Sequence, residues 1–381
     1  MANSLSSLRE MNRRMVTEAV RKAGSLTQAQ LARTTGLSPA TVSTIVRELR
    51  DLGILAITSG GGRRNAVTLA PETGLLVGID FGHSHLRVAI GEVTRQVLAE
   101  RAIPIDVDAS AAEGLLAAEL LVDELLETLG SERAEILGVG LGVPGPIDPL
   151  TGILGSSTIL PGWVGINPAL AMSERLGLAV HVDNDANLGA LAEATWGAAR
   201  GRQDVTYLKV ASGVGASILI DGRVYRGASG AAGELGHITI DENGRLCRCG
   251  NRGCLETLAG GLYLTELVRA THGPGVTVPR LVELAAAGDV GCRRVIGDAG
   301  RHLGVAVASL CNILNPGLVV VGGALAEAGA LLIDPILEVV HRLAIPSAAA
   351  VLTVVPGVLG ERAGVLGALA SVQVSNIESA L

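Results

Sequence analysis

At 381 residues the chain is long enough for two or three domains, and 48% apolar residues with a mean hydropathy of +0.45 exclude extensive disorder. Aromatic residues are only 2% while glycines number 51, which excludes an extended aromatic platform for single-stranded nucleic acid and suits α/β layers joined by glycine turns. The net charge of −7 is unevenly placed: residues 1–70 hold ten Lys/Arg against four Asp/Glu, a net +6, leaving −13 for the remainder, so a basic module joined to an acidic body is expected.

The opening MANSLSSLREMNRRM has no apolar core of signal-peptide length, and no later run reaches the ~18 apolar residues of a membrane helix. A soluble, cytoplasmic protein with no membrane insertion is expected. Residues 1–72 read as a winged helix-turn-helix DNA-binding domain. A first helix runs through SLREMNRRMVTEAVRKAG and stops at Gly24; a second, TQAQLARTTG, ends at Gly36. A third opens with Ser38 as N-cap and Pro39 at the first helical position, with Val42, Ile45, Val46 and Leu49 turned inward. Two short helices around Thr35, Gly36 and Leu37 give a helix-turn-helix, whose second helix presents its N-terminal residues to the major groove. ILAITSGGGRRNAVTLA then reads as strand, glycine turn and strand, a wing with Arg63 and Arg64 at its tip. A generic three-helix bundle is the plain alternative; the wing, the capped helix and the +6 charge favour double-stranded operator DNA. Ser38, Ala40, Thr41, Ser43, Thr44 and Arg47 are the candidate contacts of the third helix, with the wing arginines on phosphate or the minor groove.

From residue 75 the texture becomes β-branched runs closed by glycine, alternating with Ala/Leu helices. LLVGIDFG, LRVAIGEV, ILGVGLGVPG, AVHVDND, VTYLKVASGVGASILI and LVVVGG are strand candidates; residues 112–129, 168–177, 186–198, 255–270, 291–314 and 361–373 read as helices. A strand ending in a glycine turn occurs twice, in GIDFG at 78–82 and KVASGVGA at 209–216, the duplication of a two-lobed fold. The lobes are placed at 75–190, completed by the C-terminal helix 361–378, and at 191–360.

Cys292 and Cys311 lie in apolar periodic segments and read as buried thiols. The other three cysteines fall within eight residues, in LCRCGNRGCLET. A metal site, a redox switch and a DNA-reading finger are the choices. Cys247, Cys249 and Cys254 with His237 ten residues upstream make a closed tetrahedral set, the composition of a structural Zn2+ site. The spacing does not fit a Cys2His2 finger, and a disulfide would leave the third cysteine over.

The chain resembles the ROK family (repressors, open reading frames and sugar kinases), on the GGRR wing, GIDFG, GVPGPIDPLTG at 142–152, LPGW at 160–163, VDNDAN at 182–187, SGVGASILIDGRVYRGASGAAGELGH at 212–237, the cysteine cluster and NPGLVVVGGAL at 315–325. The resemblance implies a body of the actin and hexokinase type, also described as ribonuclease H-like, and identifies the cysteine cluster as the family's zinc loop. It implies a sugar site of Asn184, Asp185, Glu234, His237 and Glu256, with Asp185 the general base where such proteins are kinases. Taken alone, NDAN would be an Asx turn capping a helix from residue 186. Family kinases carry D-x-G-G-T-K in the first glycine turn; here Asp80-Phe81-Gly82-His83-Ser84-His85 lacks the second glycine and the lysine cation, and Ala211-Ser212-Gly213 stands for Gly-Thr-Gly. No catalytic residue is therefore expected. A repressor whose kinase-derived body senses a sugar or sugar phosphate is the main expectation, as a homodimer or homotetramer. An active sugar kinase with an appended DNA-binding module, and a repressor whose body docks a protein regulator, are the alternatives.

Overall fold

The structure, a computed structural model, describes residues 2–51, 55–59, 65–69, 74–92, 96–154 and 160–379. The N-terminal module consists of α1 (Ala2–Ala23), α2 (Gln28–Thr35), α3 (Pro39–Asp51) and the antiparallel pair β1 (Leu55–Ser59) and β2 (Asn65–Leu69). Helical spacing puts Val16 and Val20 of α1 and Val42, Ile45, Val46 and Leu49 of α3 on inward faces, where they bury around Leu31 and are closed by Leu55 and Val67. Thr27 and Gln30 form a reciprocal capping box at the start of α2. Gly36 ends it with φ +71°, a left-handed value open to glycine, and so sets the tight turn. Ser38 Oγ accepts the Thr41 N–H at 3.1 Å, the N-cap that the sequence predicts for α3. Leu26 exchanges two backbone hydrogen bonds with Val67, tying the wing to the helices. The wing tip with Arg63 and Arg64 lies outside the described residues.

The body begins with β3 (Leu75–Phe81), β4 (His85–Glu92), β5 (Val97–Pro104), α4 (Ala111–Leu129), β6 (Ile136–Val143), α5 (Pro168–Leu176), β7 (Val180–Asn184) and α6 (Asp185–Trp196). It continues with β8 (Val205–Val210), β9 (Val214–Ile220), β10 (Arg223–Val224), α7 (Glu256–Ala259), α8 (Gly261–His272), α9 (Val278–Ala286), α10 (Val290–Leu314), β11 (Leu318–Gly322), α11 (Ala330–Leu343), α12 (Pro346–Ala349), β12 (Thr353–Pro356) and α13 (Ala363–Ser379). The strands form two five-stranded sheets of one plan, β5-β4-β3-β6-β7 and β10-β9-β8-β11-β12, each an antiparallel meander followed by two parallel strands. This is the duplication that the paired glycine turns announce, and it is the actin and hexokinase-like architecture expected.

One face of the first sheet packs on α4 through residues such as Leu115, Ala118 and Val122, and the other receives α13 through Val365, Leu366 and Leu369. That second contact needs backbone against backbone, since a Cβ on Gly140 of β6 would lie 2.0 Å from Ala368 O; α13 meets α6 as closely, a Cβ on Gly367 lying 1.9 Å from Leu188 O. Trp163 of the LPGW motif is fully buried, donates Nε1–H to Val107 O at 2.9 Å and meets Phe81 edge-on at 5.1 Å, which fixes the end of β3 beside the first glycine turn. In the second lobe α10 and α11 bury a core of Ile296, Leu303, Val307, Leu332 and Ile336, and Cys292 and Cys311 are buried in it, as expected.

Some elements depart from the sequence reading. The helix expected at 255–270 is two: Gly260 is extended (φ −69°, ψ 141°), and the first amides of α8 reach back to the second glycine turn, Gly261 to Ala211 O at 2.9 Å and Leu262 to Ser212 O at 3.0 Å. Helices α9 and α11 were not anticipated, because α9 opens on VTVP and α11 contains Pro335, both of which read as breakers. Strands β5, β10 and β12 also escaped notice; β5 carries Glu100 and Arg101 on a part-exposed edge, and the other two are short.

Candidate functional site

On α3, Ser38, Ala40, Ser43, Thr44 and Arg47 are exposed and Thr41 is half-buried. Thr41 Oγ1 shares a 2.8 Å hydrogen bond with Ser38 Oγ, and Thr44 Oγ1 donates to Ala40 O at 3.1 Å. The face they form is held from behind by Arg13, whose Nε and Nη2 donate to Glu48 Oε2 at 3.1 and 2.8 Å.

In the body, residues at or just beyond the ends of β3, β7 and β8 (Gly82, Asn184 and Ala211) line one cavity. It is polar, of about 110 Å³, and Asn184, Asp185, Glu234, His237 and Glu256 all line it. The five are brought together from three stretches of chain. Asp183, buried at the end of β7, accepts the N–H of Asn184 and the Nδ2–H of Asn187 at 2.8 Å each and pairs with Arg226. This shapes the corner from which α6 starts. Asn184 is the N-cap of α6: its Oδ1 accepts from Ala186 and Asn187, and its Nδ2 donates to Gly145 O at 3.0 Å. The capping role that NDAN suggests by itself is therefore real, and the side chain lines the cavity as well.

Asp185 Oδ2 accepts from Lys209 Nζ at 2.7 Å. Burial works against the Lys209 ammonium, but the charges of Asp185 and Asp80 outweigh it and hold its pKa above the ordinary lysine value. The first glycine turn carries no lysine, as read from the sequence, but Lys209 of β8, not anticipated there, places a cation beside Asp185. A lone charged residue in the buried strand VTYLKV, two residues before a glycine turn, was the signal for it. Burial and the neighbouring charges of Asp185 and Glu256 push the Glu234 carboxyl up to about 7. Glu256 Oε2 accepts the Val214 N–H at 3.1 Å while Oε1 faces Arg248 Nε at 3.2 Å. Arg248 reads in the sequence only as a spacer between two cysteines.

His237, Cys247, Cys249 and Cys254 form one cluster with donor atoms all within 4.8 Å of one another. His237 Nδ1 lies 3.6 Å from Cys247 Sγ, and Cys249 Sγ 3.7 Å from Cys254 Sγ. A tetrahedron with metal–sulfur bonds of ~2.3 Å and a metal–nitrogen bond of ~2.0 Å has edges of about 3.8 Å between sulfurs and about 3.5 Å from sulfur to nitrogen. The donor set fits a bound metal ion. The other ring nitrogen of His237, Nε2, lies 3.8 Å from Glu234 Oε2, so the imidazole spans from the cysteine cluster to the cavity.

A second cleft of about 560 Å³ adjoins the first and shares His85, Asp185, Lys209, Ala211 and Ser212 with it. Asp80 on its floor is buried, with Oδ2 3.6 Å from His85 Nε2. Burial opposes the Asp80 charge, but the His85 hydrogen bond and the Lys209, His85 and Arg87 charges prevail and lower its pKa. Glu193 is a further buried carboxylate missed in the sequence: its oxygens accept from the amides of Ala198, Val358 and Leu359, clamping the 357–360 segment to α6.

A winged helix-turn-helix carried on a two-lobed body of this type, with a polar cavity at the strand ends, defines a DNA-binding transcriptional regulator built on a kinase-like fold. Residues 76–374 match the ROK family and residues 12–56 a winged helix-turn-helix DNA-binding family, and the chain belongs to the ROK family. It is 29% identical to the xylose repressor of Caldicellulosiruptor bescii, over 96% of each chain. It is also 29% identical to the DNA-binding transcriptional dual regulator NagC of Escherichia coli K12, over 96% of this chain and 93% of that one. Among solved structures it is similar to a ROK family transcriptional regulator, a homologue of E. coli MLC protein (TM-score 0.83, 25% identity, 97% of both chains). A ROK family glucokinase from Streptomyces griseus, in complex with glucose and AMPPNP, matches 78% of this chain and 98% of its own at TM-score 0.70 and 27% identity. Among the described residues no helix is long and apolar enough to cross a membrane.

Proposed function

We propose that the chain is a sugar-responsive repressor, in which the winged module (1–72) binds double-stranded operator DNA and the two lobes (75–190 with 361–378, and 191–360) hold the effector between them. The observation that carries this reading is the single cavity gathering Asn184, Asp185, Glu234, His237 and Glu256. Sugar hydroxyls both donate and accept, and an amide, three carboxyl groups and an imidazole in fixed directions suit them. Relatives named for xylose and N-acetylglucosamine repression support it. Zn2+ is the ion that suits His237, Cys247, Cys249 and Cys254, since three thiolates and an imidazole close a structural site with no open position. His237 through Nδ1 and the three cysteines would hold it, and a bound ion would stiffen the segment leading to Glu256, while the chain's own residues meet the sugar. Ser38, Ala40, Thr41, Ser43, Thr44 and Arg47, with Arg63 and Arg64 of the wing, contact DNA, and a cytoplasmic homodimer or homotetramer pairs the modules on two half-sites.

Sugar binding draws the lobes together and changes operator affinity by differential binding to the open and closed forms, a coupling of about 5- to 150-fold. Fluorescence anisotropy on promoter DNA from the chain's own locus tests this: the reading requires that a sugar which binds the body weaken the complex, and an affinity indifferent to every bound sugar overturns it. Asp185 in place beside two glycine turns, and the glucokinase likeness, favour a second reading as an active sugar kinase. We reject it because Asp185 is engaged by Lys209 and the first turn lacks its second glycine and lysine. ATP turnover with a hexose at ordinary kinase rates, roughly 1–100 s⁻¹, would reverse that choice.

A further inference from the structure

A phosphorylated sugar differs from its parent by a group with close to two negative charges at neutral pH and three strong acceptor oxygens. A site that takes it must offer cations or inward-facing amides that nothing else has claimed. In this cavity the cations and two of the turn amides are already met by the chain itself. In the first glycine turn, Gly82 donates its N–H to His85 O at 2.9 Å, and a Cβ on Gly82 would lie 2.1 Å from His85 Cε1, so the imidazole covers the face of the turn. The neighbouring His83 is bonded through Nδ1 to Asp108 at 2.6 Å. In the second turn, the Val214 N–H is taken by Glu256 Oε2 at 3.1 Å, and a Cβ on Gly213 would meet that oxygen at 2.3 Å. The Glu256 carboxylate thus stands where a glycine turn would hold an anion. Both cations that line the cavity face carboxylates as well, Lys209 at 2.7 Å from Asp185 and Arg248 at 3.2 Å from Glu256.

We propose that the effector is a neutral, unphosphorylated monosaccharide, and that Asp185 and Glu256, acting as internal anions, exclude its phosphate esters. The inference rests on the reading of this cavity as a sugar pocket. An entering phosphoryl group has to displace one of these carboxylates or stand beside it, with Asp80 adding like charge from the floor of the adjoining cleft. A hydroxyl meets no such conflict, because it donates to the same carboxylates. Size is not the barrier: the adjoining cleft of about 560 Å³ would admit a phosphoryl group. Charge is.

Isothermal titration of the full-length chain with matched pairs tests this: xylose and xylose 5-phosphate, glucose and glucose 6-phosphate, N-acetylglucosamine and its 6-phosphate. The expected result is that the member bound is neutral and its phosphate ester at least about tenfold weaker, the scale of a like-charge conflict at a binding site. Equal or tighter binding of the ester overturns the proposal. If no member of any pair binds, the sugar-pocket reading itself falls and the inference with it. A second measurement reads the cause: Asp185→Asn removes the hydrogen-bonded counter-charge of Lys209, and the preference should move toward the ester by about tenfold. An unchanged preference in a folded Asp185→Asn protein shows that this carboxylate is not what excludes phosphate.

Discussion

Lys209 and Asp185 meet at 2.7 Å between β8 and the first turn of α6, and together they form part of the wall of both cavities. The lysine side chain is 21% exposed and the aspartate 15%, so the pair is screened less than a surface bridge. Removing either partner strands a charge that Asp80 also feels, whereas removing both does not. In a double-mutant cycle of Lys209→Met and Asp185→Asn followed by urea unfolding, a coupling energy of about 1–3 kcal/mol is expected. Additive single effects would mean that the pair contributes geometry only.

Removal of the metal should be felt in the cavity rather than in the DNA module. Cys249→Ser deletes one of four donors, and Arg248 beside it faces Glu256 at 3.2 Å. Loss of bound zinc by atomic absorption, with sugar affinity reduced roughly 10- to 100-fold, is expected by analogy with the effect of disturbing the groups that orient a metal's ligands. A Cys249→Ser protein that lost zinc and kept its sugar affinity would sever the link.

How much of this could be read from the chain is instructive at particular residues. The helix-turn-helix was legible because α2 and α3 carry their own stop and start signals, Gly36 and Ser38, within a single local pattern. The five cavity residues were legible only through motifs of known company, since no periodicity joins Asn184 to Glu256, whereas the cysteine cluster showed in its own composition and spacing. Lys209 and Arg248 were missed for the same physical reason: each acts on a carboxylate 24 or 8 residues away in sequence, and only the packing of two sheets and the cysteine loop brings the charges together. Glu193 is similar, a helix residue whose partners are the amides at 358 and 359.

For the DNA module, Arg47 and Arg13 should separate cleanly. Arg47 is exposed on α3, while Arg13 is bonded to Glu48 through two nitrogens. Arg47→Ala is expected to weaken operator binding and, if the contact is to phosphate, to lower the slope of log affinity against log salt by about 1 with no change in stability. Arg13→Ala should lower stability by about 0.5–1.5 kcal/mol, since it opens a part-buried bridge and not a DNA contact. Anisotropy titrations at several salt concentrations, beside thermal unfolding of both variants, distinguish the two roles.

The seating of α13 on β6 should be an unforgiving contact. A methyl group on Gly140 would lie 2.0 Å from the Ala368 carbonyl oxygen, which belongs to helix backbone and has no rotamer to yield. Gly140→Ala is therefore expected to cost about 3 kcal/mol, the upper end of overpacking penalties. Gly297, inside α10, is the contrasting case: the nearest atom to an added Cβ is the flexible tip of Arg301 at 3.8 Å. Gly297→Ala should stabilise the protein by about 0.4–1 kcal/mol, because alanine restricts the unfolded chain and favours the helix. Opposite shifts in denaturation midpoint for these two identical chemical changes would show that close backbone approach, and not glycine's flexibility, explains Gly140. Equal shifts would remove that explanation.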